Sequence, residues 1–232
     1  MANKKVMAER RERELAEQAR QARMKRVKQG IVVAVAAILV AAIAVAIFLP
    51  AATDKTYYAD ITIRDYGTIT VLLDDETAPI TVRNFVELAE SGFYDGLTFH
   101  RIMEGFMMQG GDPKGNGTGG NTDANGNEIN IKGEFSSNGV KNDISHVRGV
   151  ISMARSGDQF NDHLYYNTAS SQFFIVHEDS TFLDGKYASF GHVVSGIEIV
   201  DAVCEDAKPT DNNGTIPAAD QPVIESVKIR TE

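Results

Sequence analysis

A mainly β domain closing into a barrel, preceded by a single membrane-spanning helix, is the architecture that this 232-residue sequence predicts. Three observations predict it. From residue 56 onward, short apolar–polar alternating runs recur, with only two stretches of helical period between them. Ile31 to Leu49 is nineteen residues without a charge or a hydrogen-bonding side chain. Residues 1–29 hold ten Lys/Arg against four Glu, a net of +6 in a chain of overall net −9, so the remainder carries −15.

Residues 1–30 read as a basic segment, helix-prone from Ala8 to Lys28, with Glu9–Arg13 and Arg13–Glu17 at the spacing where side chains meet on a helix. As a helix, the apolar run 31–49 spans about 28 Å, close to the roughly 30 Å hydrocarbon thickness. A cleavable signal peptide is the alternative, but its apolar core is normally about 7–15 residues and ends at a small-residue cleavage site. Phe48-Leu49-Pro50-Ala51-Ala52 matches such a site poorly, which favours a retained anchor. Arg23, Lys25, Arg26 and Lys28 abut the run and belong on the cytoplasmic side. The expectation is a single-pass protein of the cell membrane with a cytoplasmic amino terminus, a linker at 50–55 and an acidic extracytoplasmic domain at 56–232. Cys204 is the only cysteine, so no intramolecular disulfide forms.

Within the domain, Ala59, Ile61 and Ile63 alternate with polar residues, as do Ile69, Val71 and Leu73 after the Asp65-Tyr66-Gly67 turn, which reads as a hairpin. Thr81 to Ser91 carries Val82, Phe85, Leu88 and Ala89 at helical spacing, with Thr81 as the expected cap and Gly92 as the stop. Strands are expected at 99–102, 106–109, 150–154, 172–175, 188–192 and 223–229. A second helix is expected at Gly196–Cys204, with Ile197, Val200 and Val203 on its apolar side. Ser156–Ser170 and Lys208–Gln221 read as surface loops.

The most informative stretch is FHRIMEGFMMQGGDPKGNGTGG, Phe99 to Gly120. Strand alternation puts Arg101 on one face with Met103, and Phe106 with Met108 or, across a bend at Glu104-Gly105, with Gln109. An apolar pocket with one cation at its lip would result. This segment resembles the signature of cyclophilin-type peptidyl-prolyl cis-trans isomerases. Gly149–Ala154, Ser171–Ile175, and Phe182–Lys186 followed by Phe190-Gly191 agree with that family in the same order. The resemblance spans roughly Tyr58 to Ile229, and it implies an eight-stranded antiparallel barrel capped by two helices.

Rotation about a peptide bond faces a barrier of about 18–20 kcal/mol from amide resonance. Lowering it needs no nucleophile, metal or proton shuttle, only a site that binds the twisted amide better than the planar one. Twisting gives the prolyl nitrogen a lone pair that a fixed cationic donor stabilises in a dry pocket. The resemblance assigns that role to Arg101; the competing reading is a surface arginine in an ion pair. It places Phe106, Met107, Phe174 and Leu183 around the proline ring, although a regular strand would point Phe106 and Met107 to opposite faces. Gln109 and Gln172 match positions that hydrogen-bond substrate or orient the arginine. Ala154 and Arg155 match positions whose backbone binds the residue before proline. Three departures stand out: Arg155 where asparagine is common, Phe182 where tryptophan is, and Tyr187 where histidine is.

Other motifs weaken on inspection. His100 has no Ser or Cys partner nearby and reads as core. Gly115–Gly120 satisfies G-x-G-x-x-G, but no helical pattern follows to bind a phosphate. Asp123, Asn125, Asn127 and Glu134 copy four ligand positions of a calcium loop, yet Glu128 stands where that loop needs glycine. The expected function is therefore prolyl isomerisation in unfolded or partly folded proteins, by a monomer without metal, cofactor or nucleic-acid partner. The rivals are a non-catalytic module that binds proline-containing segments and a calcium-regulated adhesion domain.

Overall fold

The computed structural model describes Met24, residues 55–157 and residues 160–232. The chain divides into two compact units, Met1–Ala52 and Thr53–Glu232, and the fold below is that of the second. Apart from Met24, the expected basic segment, the apolar run 31–49 and linker residues 50–54 lie outside the described residues. Among the described residues no helix is long and apolar enough to cross a membrane.

Eight strands form one antiparallel sheet: β1 (Tyr57–Ile63), β2 (Gly67–Leu73), β3 (Phe99–Met103), β4 (Met107–Gly110), β5 (Val150–Met153), β6 (Phe173–Val176), β7 (Ser189–Ser195) and β8 (Ile224–Thr231). Their spatial order is β3-β4-β6-β5-β7-β2-β1-β8. The predicted hairpin is β1–β2, with Ala59 opposite Val71 and Ile61 opposite Ile69, all four buried. Period-two alternation thus set which face turned inward.

The expected closed barrel is corrected to a curled sheet whose two ends never share a ladder. Between β3 and β8 stands one bridge, Thr98 to Val223, with few flanking backbone bonds. The physical reason is competition for the outer edge of β3. The Ile102 amide donates to the Gly214 carbonyl at 2.8 Å and the Ile216 amide to the His100 carbonyl at 3.0 Å, so the loop following the second helix occupies that edge. Lys208–Gln221 is thereby more than a surface loop.

Helix α1 runs Pro79–Glu90 and α2 runs Ile197–Asp206. The assignment of Thr81 as cap of α1 is also corrected. Pro79 opens the helix, where its missing N–H costs nothing, and Thr81 sits inside the first turn. The orphan amides of Ile80 and Thr81 go instead to the carboxylate of Glu134, at 3.1 and 2.8 Å, and the Thr81 hydroxyl joins at 2.8 Å. Gly92 has the left-handed φ of +74° that follows a helix end.

Val82, Phe85, Leu88 and Ala89 are the buried face of α1. Phe85 stands 5.1 to 5.5 Å, ring to ring, from Tyr94, Phe173 and Phe190, at the centre of the main core. On α2, Val200, Val203 and Cys204 are buried, and burial pushes the Cys204 thiol up to about 12. A second, smaller cluster on the sheet consists of Met107, Val150, Phe174, Val176 and Leu183. Two separate apolar clusters in one domain invite the question of what the small one is for.

Candidate active site

The small cluster is an apolar cup, lined further by Met103, Phe106, Ala154 and Tyr187, all partly buried. Phe106 is not on a strand: residues 104–106 form the β3–β4 turn, closed by the Phe106 amide donating to the Met103 carbonyl at 3.0 Å, with Gly105 at φ +75°. The turn frees Phe106 from alternation, so Phe106 and Met107 join the same cluster, contrary to what a regular strand predicts. Met108, offered as a partner for Phe106, belongs to the main core, and Gln109 lies on the Arg101 side. Phe174 is 5 % exposed and packs edge-on to Tyr187 at 5.9 Å. Phe182 is 64 % exposed and meets the cup through Phe106, with ring centroids 5.6 Å apart.

Arg101 sits at the lip, its guanidinium carbon 5.8 Å from the Phe106 ring centroid. Its Nε donates to the Asn213 carbonyl at 2.7 Å, Nη1 to Gln109 Oε1 at 3.2 Å, and Nη2 approaches the Met103 sulfur at 3.3 Å. Gln109 Nε2 donates on to Gln172 Oε1 at 2.9 Å, and Gln172 Nε2 to the Gly119 carbonyl at 2.7 Å. Among the described residues no carboxylate forms a salt bridge with Arg101, which removes the ion-pair reading. Burial lowers its pKa, while Tyr187 and Asp211 act the other way. The group stays a cation that is only partly solvated.

Beside the cup lies a polar cavity of about 170 Å³. It is distinct from the cup but shares Gln109, Ala154 and Gln172 with the site; Gly117, Glu128, Ser156 and Thr168 form more of its wall. The Arg155 side chain does not enter it as a free cation: it is 2 % exposed and turned into the protein.

The discounted motifs have other employment. Amides of the G-x-G-x-x-G run and of Lys114 just before it wrap a carboxylate of the protein itself: Asp112 accepts from the Lys114, Asn116 and Gly117 amides at 2.7, 3.0 and 2.6 Å. Burial works to raise the Asp112 pKa, and these donors outweigh it and hold it low. Glu134 is committed to α1, and Asp123 closes its own turn by accepting from the Asn125 and Asn127 amides. The Asn127 side chain joins Asp123 at 3.0 Å, but the Glu134 carboxylate is taken up by Ile80 and Thr81. His100 is buried as expected, with neither ring nitrogen partnered among the described residues.

Sequence reasoning missed two features. One is the Asn213 carbonyl; the Asp211-Asn-Asn-Gly turn that presents it was visible, but its proximity to Arg101 was not. The other is a Ser–His–Asp line, with Ser152 Oγ 3.0 Å from His146 Nε2 and Asp184 Oδ1 2.9 Å from His146 Nδ1. Ser152 and His146 are both fully buried, so no substrate carbonyl reaches the hydroxyl, and the line braces His146, which stacks on Phe174 at 6.0 Å.

A half-buried, carboxylate-free guanidinium over an apolar cup suits the twisted amide, and comparison with known proteins decides the family. Residues 58–231 match the family model described as cyclophilin type peptidyl-prolyl cis-trans isomerase/CLD. The chain belongs to the cyclophilin-type isomerases. It is 46 % identical over 125 residues to a peptidyl-prolyl cis-trans isomerase of Synechococcus elongatus, covering 54 % of this chain and 72 % of that one. Peptidyl-prolyl cis-trans isomerase B of Bacillus subtilis is 44 % identical over 136 residues, covering 59 % and 82 %. Among solved structures, a cyclophilin-type isomerase of Cryptosporidium parvum superposes with a TM-score of 0.63 at 29 % identity, covering 76 % of this chain and 99 % of that one. The same protein was also crystallised in the presence of the dipeptide Ala-Pro. This cyclophilin is a peptidyl-prolyl cis-trans isomerase.

Proposed function

We propose that Arg101 carries the isomerisation, with Phe106, Met107, Phe174 and Leu183 holding the prolyl ring and Phe182 and Tyr187 at its rim. Gln109 and Gln172 fix the arginine and the substrate backbone, and the Ala154–Arg155 backbone receives the residue before proline. The observation that carries this reading is the guanidinium beside the cup, fixed by the Asn213 carbonyl and the Gln109–Gln172–Gly119 relay rather than by a carboxylate. An arginine neutralised by an acid would offer the prolyl lone pair little; one held by neutral acceptors keeps its field for the transition state. Nothing in the step forms or breaks a covalent bond, so the protein's task is to arrange donors in advance.

The substrates on this reading are X–Pro bonds of unfolded or partly folded proteins, a choice supported by the Ala-Pro dipeptide used with the Cryptosporidium relative. The nineteen-residue apolar run and the +6 and −15 charge split support an extracytoplasmic domain on a single-pass anchor, which we take to be a monomer. The test of mechanism is proline isomerisation of a tetrapeptide. Loss of one preorganised donor costs about 10²–10³ in rate, so Arg101→Ala should lower kcat/KM by that factor. A wild type that binds the peptide without turning it over would favour the binding module. For topology, mass spectrometry of the amino terminus in membrane and medium fractions should find residues 31–49 retained in the membrane fraction.

A further inference from the structure

Arg155 lies next to the candidate site, yet its side chain turns away from any substrate. Nη1 and Nη2 donate to the two carboxylate oxygens of Asp162 at 2.7 and 2.8 Å. Nη1 also donates to the Ser156 carbonyl at 2.9 Å and Nε to the Lys186 carbonyl at 2.8 Å. The guanidinium carbon stands 4.6 Å from the Tyr187 ring centroid, 5.3 Å from Tyr166 and 5.5 Å from Phe135. One planar cation thus ties together Ser156 and Asp162 of the 156–170 loop, the Lys186-Tyr187 segment that borders the cup, and Phe135 of the main core.

The loop that it ties is a wall of the polar cavity. Ser156 and Thr168 both line that cavity, and the Ser156 amide donates to Thr168 Oγ1 at 3.0 Å. Thr168 in turn donates its hydroxyl to the Tyr165 carbonyl at 2.8 Å, at the end of the single turn, Asp162–Tyr165, that carries the Arg155 partner. The fork between Arg155 and Asp162 thus ties the start of that turn to the Lys186-Tyr187 segment, while the Thr168 hydroxyl holds its end.

We propose that Arg155 is a positioning residue: its side chain latches Ser156 and the 162–168 segment at the cavity wall and Tyr187 as a side of the cup, so that a peptide occupying both is gripped by prearranged surfaces. This role rests on the isomerase reading and deepens it. It requires arginine, because only a guanidinium donates two parallel bonds to one carboxylate while stacking flat on aromatic rings; lysine offers a point charge. It also assigns the latch to binding and not to turnover, since among the described residues the Arg155 side chain donates to Ser156, Asp162 and Lys186 and not to Arg101, Gln109 or Gln172.

The experiment uses Asp162→Asn, Asp162→Glu and Arg155→Lys in the full chain, with a ten-residue peptide holding a central X–Pro bond. Asp162 is 38 % exposed and the Ser156 and Lys186 carbonyls still accept from Arg155 when it is replaced, so Asp162→Asn should disturb the fold less than Arg155→Lys, and Tm is recorded for each variant. Peptide Kd by calorimetry and KM and kcat by isomerisation are read together. Asp162→Asn should raise Kd and KM three- to tenfold with kcat within twofold of wild type, Arg155→Lys should do so at least as much, and Asp162→Glu should recover most of the loss. A Kd within twofold of wild type for Asp162→Asn, or a loss carried in kcat, overturns the proposal. A wild type that binds without turnover defeats the isomerase reading, and the Kd comparison still decides the latch.

Discussion

Replacing Glu134 tests how this fold starts its first helix. The carboxylate accepts the Ile80 amide at 3.1 Å and the Thr81 amide and hydroxyl at 2.8 Å each, and Glu134 is only 2 % exposed. In Glu134→Ala these donors lose their acceptor where water does not readily replace it. Loss of a side-chain cap costs about 0.5–2 kcal/mol. Stranding a buried donor costs about 1–3 kcal/mol, and the two costs overlap in part, so we expect a loss of about 3 kcal/mol. For a domain of this size each kcal/mol moves the midpoint by about 2–4 °C, which gives a fall in Tm of about 6–12 °C. Glu134→Gln keeps the shape and one acceptor oxygen and should lose about half as much. The assay is thermal unfolding followed by circular dichroism at neutral pH, with and without millimolar calcium. A midpoint for Glu134→Ala within 2 °C of wild type would refute the capping argument, and a calcium-induced rise in the wild type would show that the carboxylate is free for a metal.

Three more outcomes follow from named contacts. Gln109→Leu removes the acceptor of Arg101 Nη1 and the donor to Gln172, and should cut kcat/KM about tenfold, or about 1.4 kcal/mol, in the tetrapeptide assay while leaving Tm nearly unchanged. Burial holds the His100 pKa below its ordinary value, the pull of Asp112 notwithstanding. As pH falls through about 6.5 the unfolded chain therefore takes up a proton that the folded one resists, and stability declines with acidification from there down through the folded pKa. His100→Leu should flatten this decline in a Tm-against-pH series; His146, which burial lowers likewise, contributes to the slope that remains, and at the acid end the depressed carboxylates of Asp112 and Asp184 add to it. Gly191→Ala would drive a methyl into the Leu72 carbonyl across the β2–β7 pair, so it should lower stability by about 1–3 kcal/mol or more by denaturant titration, with wild-type stability excluding the close approach.

Much of the fold was legible because it is written in local periods. Ile61 and Ile69 share the inward face because alternation requires it, and Phe85 and Leu88 share the buried face of α1 because their spacing does. Arg101 and Met103 lie on one face for the same reason, and the turn that brings Phe106 and Met107 together was hinted at only by Gly105. The start of α1 was misread because Thr81 satisfies the capping pattern, while Pro79 two residues earlier is the stronger signal and the true acceptor stands fifty-three residues away.

By itself, then, the sequence determined the elements, the inward faces and the motif residues that converge on the cup, since each depends on neighbours a few positions apart. Tertiary structure alone decided that the sheet stays open at β3, that the Asn213 carbonyl holds Arg101 from 112 positions away, and that Arg155 is sequestered among Phe135, Tyr166 and Tyr187. Those outcomes are settled by which distant group wins an unpaired donor or an exposed strand edge. That competition is three-dimensional and leaves no period in the chain.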